Sequence, residues 1–191
     1  MAEERRNRLE VPALATVRTA WAACVHEAGH AIVGVALNYQ LAFSDVSEAL
    51  ASIVDGSRDE PSRTGFTRIF QIGAGHTPDI AFTVAGRAAE AVHGLIDSDD
   101  PPFDVERWRH SPWANDDDLQ DAYAKALSLV QGSEPRAWVL VEREYRRTTD
   151  MLGKPPFRAS TLEIASMLLR DGRVQAETIH RIADRWLQLR F

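Results

Sequence analysis

Two histidines and a glutamate lie close together in the segment WAACVHEAGHAIVGVAL, residues 21–37. In an α-helix, residues four apart share one face and are about 6 Å apart along the axis, so the imidazoles of His26 and His30 can bind one metal ion. Glu27 is one position further on, so its carboxylate lies beside the ion. This H-E-x-x-H spacing is typical of zinc hydrolases, in which the glutamate deprotonates a metal-activated water molecule. The pattern predicts a zinc site with Glu27 as general base.

The residues around these three polar side chains are mostly apolar, which predicts a buried helix. Buried polar groups without partners cost about 1–3 kcal/mol each, and a metal ion would supply the partner. The alternative is that ordinary core histidines have this spacing by chance. Gly29 costs about 1 kcal/mol relative to alanine inside a helix, which we interpret as room for another element to pass close by. Cys24, the only cysteine, is predicted to be a small buried hydrophobic residue rather than a reactive thiol.

A catalytic zinc ion usually has three protein ligands and a water molecule, so a third ligand is expected. The segment WANDDDLQDAYAKALSLV, residues 113–130, offers four aspartates. With about 100° per residue, the apolar face centres near Leu119 and Ala122, and Asp118 alone lies at its edge while the other aspartates point away. Asp118 is therefore the predicted third ligand. The other candidates have different predicted roles: Asn115 as helix cap, Asp116 and Asp117 as first-turn acids, Asp121 as a solvated residue, and His110, His76 and His93 as weaker alternative ligands.

Three motifs in order, VHEAGHAIVG, VAGRAAEAV and NDDDLQDAYAKAL, resemble those of the FtsH-type zinc metallopeptidase domain, the M41 peptidase family. The resemblance spans roughly residues 15–185. It implies a zincin-like domain that binds one Zn²⁺ per chain through His26, His30 and Asp118, with Glu27 as base. Glu90, in the second motif, could support a ligand histidine, or it could merely pair with Arg87 three positions earlier.

Members of that family usually carry an ATPase module and membrane helices before the peptidase domain. This sequence has no G-x-x-x-x-G-K phosphate loop, so ATP-driven unfolding of substrates is not expected. The predicted function is a zinc-dependent endopeptidase that needs no ATP itself, acts on polypeptides, and has a separate ATPase or a second copy of the chain as candidate partner. The alternative is a catalytically silent metal-binding domain that serves as a protein-interaction module.

Zinc peptidases often bind an extended peptide along a strand near the metal helix. Residues 64–69 provide the candidate, and Gly65, Phe66 and Thr67 are its predicted substrate-binding residues. An ordinary buried strand is the alternative reading of the same segment.

The elements that must position these residues predict a mainly α fold with a small β-sheet or hairpin (α+β) and a helical C-terminal bundle. Residues 1–10 are predicted to be a flexible N-terminus, and residues 11–191 a single domain. The long polar segment 97–114 is predicted to be a functional loop. Periodicity predicts helices over 12–37, 78–96, 115–130 and 134–152, two further helices joined by a turn at 171–172, and short strands at 51–54 and 65–70 around a polar loop.

Composition narrows the class of protein. Of the 191 residues, 45% are hydrophobic, which suffices for one compact core. The net charge of −6 and the lack of a basic stripe argue against nucleic-acid binding. No secretory signal and no uncharged apolar run of membrane-spanning length is evident, so we expect a cytoplasmic protein without a membrane segment.

Overall fold

The computed structural model describes residues 2–54, 65–71, 76–96 and 116–188. Side chains are described within these ranges from Val17 onward, except at 52–54, 70–71, 76 and 78. In these ranges the chain is mainly helical with one small antiparallel sheet, which confirms the predicted α+β class. The predicted functional loop at 97–114, with His110, lies outside the described residues, as does the polar loop after residue 54. The elements are α1 (Ala2–Ala36), β1 (Gln40–Asp45), α2 (Ser47–Val54), β2 (Phe66–Gln71), α3 (His76–Thr83), α4 (Ala85–Val92), α5 (Asp117–Leu129), α6 (Glu134–Gly153), α7 (Pro155–Asp171), β3 (Arg173–Gln175) and α8 (Ala176–Leu187).

Helix α1 is the centre of the fold, and it packs against α4, α7 and β1. Its C-terminal half is apolar on several faces, and Val25, Ala28 and Ile32 are fully buried. A helix that is apolar nearly all round belongs in a core. The helix begins at Ala2, before the predicted start at residue 12, because the sequence AEERRNRLEV is rich in good helix formers.

The sheet has the strand order β2-β1-β3, with both pairs antiparallel. The prediction of strand 65–70 is confirmed by β2. The predicted strand at 51–54 is wrong, because these residues end α2. Asp45 Oδ1 accepts a hydrogen bond from the Ser47 N–H at 2.8 Å at the start of that helix, and Ala49 packs into the core. Strands β1 and β3 were not predicted, since their pairing joins distant parts of the chain.

Helices α3 and α4 replace the single helix predicted over 78–96, although helical hydrogen bonds continue on both sides of Val84. Helix α4 lies very close to α1. A Cβ atom on Gly29 would lie 2.6 Å from the Ala89 Cβ and 2.7 Å from the Ala85 carbonyl oxygen. The interpretation of Gly29 as room for a neighbouring element is therefore confirmed.

Helices α6, α7 and α8 form the helical C-terminal part, with the predicted turn at Gly172 in the left-handed conformation (φ 73°). The carbonyl oxygen of Gly172 accepts from the Val46 N–H at 2.8 Å and so ties this part to β1 and α2. None of the described helices carries an apolar stretch long enough to cross a lipid bilayer.

Candidate metal centre

His26, His30 and Asp118 each direct one potential ligand atom to a common point, and these atoms lie within 4.8 Å of one another. Asp118 Oδ2 is 2.8 Å from His26 Nε2 and 3.2 Å from His30 Nε2. The two Nε2 atoms are 3.2 Å apart. The two imidazoles come from successive turns of α1, and the carboxylate comes from the first turn of α5. This group could hold a metal ion.

Both imidazole rings are oriented through their other nitrogen. His30 Nδ1 donates to the main-chain oxygen of Phe82 at 2.8 Å, and His26 Nδ1 donates to Glu90 Oε1 at 2.9 Å. Because a carbonyl oxygen can only accept, Nδ1 of His30 carries the proton, and a neutral ring then has a lone pair on Nε2. The same follows for His26 opposite the Glu90 carboxylate. A hydrogen bond of this kind fixes the tautomer that a metal ion requires.

The three converging side chains strongly shift one another's pKa. Burial disfavours the charged form of His26, yet the carboxylates of Asp118 and Glu90 outweigh it and raise the pKa of His26 well above its ordinary value. Burial also opposes the charged form of His30, and Asp118 still raises the pKa of that imidazole. Burial would raise the pKa of Asp118, but His30 and His26 hold it well below its usual range. The group therefore holds a proton tightly, and a metal ion that took its place would release that proton.

Glu27 is buried beside this centre, with 4% of its surface exposed. Thr67 Oγ1 lies 3.0 Å from both the main-chain oxygen and Oε2 of Glu27, so one hydroxyl proton serves both acceptors. Burial raises the pKa of the Glu27 carboxyl, and His30 and His26 offset this only in part. A Cβ atom on Gly65 would lie 2.7 Å from Oε1 of Glu27, so only glycine leaves that oxygen its space.

Strand β2 therefore passes directly along Glu27, and among the described strands it lies at the edge of the sheet. Of the predicted substrate-binding residues, Gly65 and Thr67 face Glu27, whereas Phe66 is 45% exposed and contacts the ring of Phe43. Arg68 is also exposed. The described part of β2 is thus not an ordinary buried strand.

The residue that precedes α5 has a role that sequence reasoning missed. Asp116, not the predicted Asn115, is the helix cap, and its Oδ1 accepts from the Leu119 N–H at 3.0 Å. Asp116 was predicted to be a first-turn acid that points away from the apolar face, but it is buried against Arg87. The angular projection fails here because a cap residue has extended rather than helical backbone angles.

Arg87 joins the two acidic groups behind the centre. Its Nη1 donates to Glu90 Oε2 at 2.7 Å, and its Nε and Nη2 donate to Asp116 Oδ2. The predicted pairing of Arg87 with Glu90 and the predicted contact of Glu90 with a ligand histidine therefore both occur, through different oxygens. The signal in the sequence was one arginine among the small residues of α4.

The other predicted candidates lie away from the ligand atoms. Asp121 forms an ion pair with Lys125 at 2.5 Å. His93 is not in the ligand group, and burial together with the charge of Arg158 lowers its pKa. The side chain of His76 lies outside the described residues. Beside the centre is a cavity of about 120 Å³ whose walls include Ile69, Phe82 and Lys125.

Comparison of the sequence with family models and with curated proteins gives no relative from which to read a function. No protein-family model matches the chain, and no curated protein matches it significantly. The function is therefore inferred from the geometry of the site and from the sequence motifs.

Proposed function

We propose that the protein is a zinc-dependent endopeptidase. The observation that carries this proposal is the convergence of two imidazole nitrogens and one carboxylate oxygen next to a buried glutamate on the same helix. Nitrogen and oxygen donors suit zinc, and three protein ligands leave a fourth position open, as is typical of catalytic rather than structural sites. The resemblance of the three motifs to FtsH-type peptidases supports the same assignment, including the zincin-like fold.

A bound zinc ion would supply Lewis acidity, polarising the scissile carbonyl and making a water molecule acidic near neutral pH. Glu27 supplies the proton transfers. Its Oε2 is held by Thr67, while Oε1 faces the space that Gly65 leaves open, so Oε1 is the atom that accepts a proton and returns it to the departing amine. The raised pKa of Glu27 suits this task, because a general base works best when its pKa is close to the working pH.

The substrate side is proposed from the position of β2. An extended polypeptide could pair with the edge of β2 that no described strand occupies, since a sheet edge offers unpaired main-chain groups. The cavity between Ile69, Phe82 and Lys125 would then receive one side chain next to the hydrolysed bond. We propose that hydrolysis itself needs no ATP, and that a separate ATPase or a second copy of the chain is the candidate for delivering folded substrates in the cytoplasm.

The test combines metal analysis with cleavage of casein and of an unstructured peptide. We expect about one zinc ion per chain, and Glu27→Gln should keep the zinc and lose the cleavage. Asp118→Ala should lose most of the zinc. Zinc binding without cleavage of any peptide by the wild-type protein would favour the metal-binding interaction module instead. A wild-type protein without zinc would refute the centre.

A further inference from the structure

The Arg87 guanidinium connects α4, whose Glu90 orients His26, to α5, which supplies Asp118. In the Glu90 and Asp116 carboxylates, one oxygen accepts from Arg87 and the other accepts from a different donor. Glu90 accepts from Arg87 at Oε2 and from His26 Nδ1 at Oε1, at 2.7 and 2.9 Å. Asp116 accepts from Arg87 at Oδ2 and from the Leu119 N–H at Oδ1. The result is a continuous chain of contacts from His26 through Glu90, Arg87 and Asp116 to the first turn of α5.

This chain of contacts matters because α4 and α5 do not otherwise pack extensively against each other. Helix α5 packs instead against α3 and α6, whereas α4 packs against α1 and α6. Asp118 lies two residues after Asp116, in the same capped turn. The contact of Arg87 with Asp116 is therefore a direct link between the helix that orients His26 and the helix that supplies Asp118.

From this arrangement we propose that Arg87 is a positioning residue, which sets the placement of Asp118 relative to His26 by joining Glu90 to Asp116. The proposal rests on the metal centre of the proposed function but not on peptide hydrolysis. Glu90 and Asp116 are 1% and 6% exposed, so removing Arg87 would leave two buried carboxylates without the cation that they share. Glu90 would then no longer be held in position for His26 Nδ1, and the first turn of α5 would lose its contact with α4.

A purely stabilising role explains the network less well. Burying a guanidinium with two carboxylates has a large desolvation cost, and well-packed apolar side chains of similar volume often give equal or greater stability. The charged network fixes the orientation of both carboxylates, because a planar guanidinium donates its hydrogen bonds along fixed axes. Metal ligands must be held to within about 0.2 Å, so the metal centre requires carboxylates with a fixed orientation around it.

The decisive substitution is Arg87→Lys, which keeps the charge but removes the planar fork. We expect its zinc affinity, measured by competition with a chromophoric chelator, to fall about 10- to 100-fold, as when other partners of ligand histidines are removed. The visible absorption of the Co²⁺-loaded protein should also change, because the ligand geometry changes. Arg170→Lys is the matched control, since the Arg170 side chain is exposed and bonded to Asp171, and it should bind zinc as the wild type does.

Asp116→Asn tests the same contact between Arg87 and Asp116 by changing its acidic partner. This variant replaces Arg87→Lys as the test if Arg87→Lys does not fold. Asparagine still caps a helix, but it lacks the charge that Arg87 contacts. We expect a similar loss of affinity, and the double variant should lose less than the product of the two single losses. Folded variants with wild-type zinc affinity and an unchanged Co²⁺ spectrum would overturn the proposal, even if they were less stable. A wild-type protein that binds no zinc would instead refute the proposed function.

Discussion

Replacing Gly86 by alanine should damage the metal centre while leaving the fold largely intact. A Cβ atom on Gly86 would lie 2.5 Å from Cδ2 and Cε1 of His26. Carbon atoms in contact prefer about 3.5–4.0 Å, so the imidazole or helix α4 must move by about 1 Å. The ring cannot yield freely, because its Nδ1 is bonded to Glu90.

The expected effects on stability and on metal affinity are very different in size. Overpacking costs about 1–3 kcal/mol, and the higher helix propensity of alanine returns about 1 kcal/mol. The free energy of unfolding of the metal-free protein should therefore fall by only about 0–2 kcal/mol. A displacement of about 1 Å far exceeds the tolerance of about 0.2 Å for a metal ligand. Zinc affinity should fall by more than about 100-fold, beyond the usual loss when only a supporting residue is changed.

Two measurements separate these effects. Urea denaturation in the presence of EDTA gives the stability of the metal-free protein, and chelator competition gives the zinc affinity. Gly153→Ala is the matched control, because Gly153 ends α6 and a Cβ atom there would meet nothing within 4 Å. If Gly86→Ala binds zinc as tightly as Gly153→Ala, His26 is not held against α4 in the way described, and the assignment of this imidazole as a ligand fails.

Four further predictions concern the surroundings of the centre and the sheet. Thr67→Val should lower the free energy of unfolding by about 1 kcal/mol. It should also shift the acidic limb of the cleavage–pH profile to higher pH, because the Thr67 hydroxyl lowers the pKa of Glu27. An acidic limb at the wild-type pH would contradict this. In EDTA, the raised pKa of His26 stabilises the folded state fully below about pH 6.5, and this stabilisation is lost as the pH rises through the folded-state pKa. The lowered pKa of Asp118 stabilises the folded state above about pH 3.9, and this stabilisation is lost in acid. Thermal unfolding of the metal-free protein should therefore show a midpoint that falls from pH 6 to higher pH, and a flat profile would count against the coupled pair. Zinc at about 1,000 times its dissociation constant should add about 4 kcal/mol to the free energy of unfolding, reversed by chelator; calorimetry that shows no shift would exclude binding to the folded state. Asp45→Ala should lower the free energy of unfolding, measured by urea denaturation, by about 1–3 kcal/mol. The substitution removes the carboxylate that accepts from the Ser47 N–H at the start of α2 and that pairs with Arg173. An unchanged midpoint would show that these contacts are not formed.

The ligand group could be predicted from the sequence because its geometry is mostly local. His26 and His30 share one helix, so their spacing alone places them together. Asp118 was found because it lies inside the regular part of α5, where the apolar positions of the helix reveal which face turns inward. Helical periodicity likewise gave most of the helices, although their ends differ by several residues.

The features that were missed depend on pairing between distant residues. Strand β3 has three residues and follows α7 directly, so no periodicity marks it, and it exists because Val174 pairs with Ser44 of β1. Arg87 and Asp116 are 29 positions apart, and only the tertiary fold brings them together. The second half of α2, residues 51–54, was mistaken for a strand because Ile53 and Val54 favour strands locally. The hydrogen bond from the Ser47 N–H to Asp45 helps to start a helix instead.

The distance along the chain between the ligands also sets an order of events during synthesis. His30 and Asp118 are 88 positions apart. At about 5–20 residues per second, the ribosome adds the carboxylate ligand about 4–18 seconds after the second imidazole. Helix α7, which packs against the histidine-bearing helix, and strand β3, which completes the sheet, are made later still. A nascent chain therefore carries two histidines without the proposed third ligand, and the centre can close only after residue 118 has been translated.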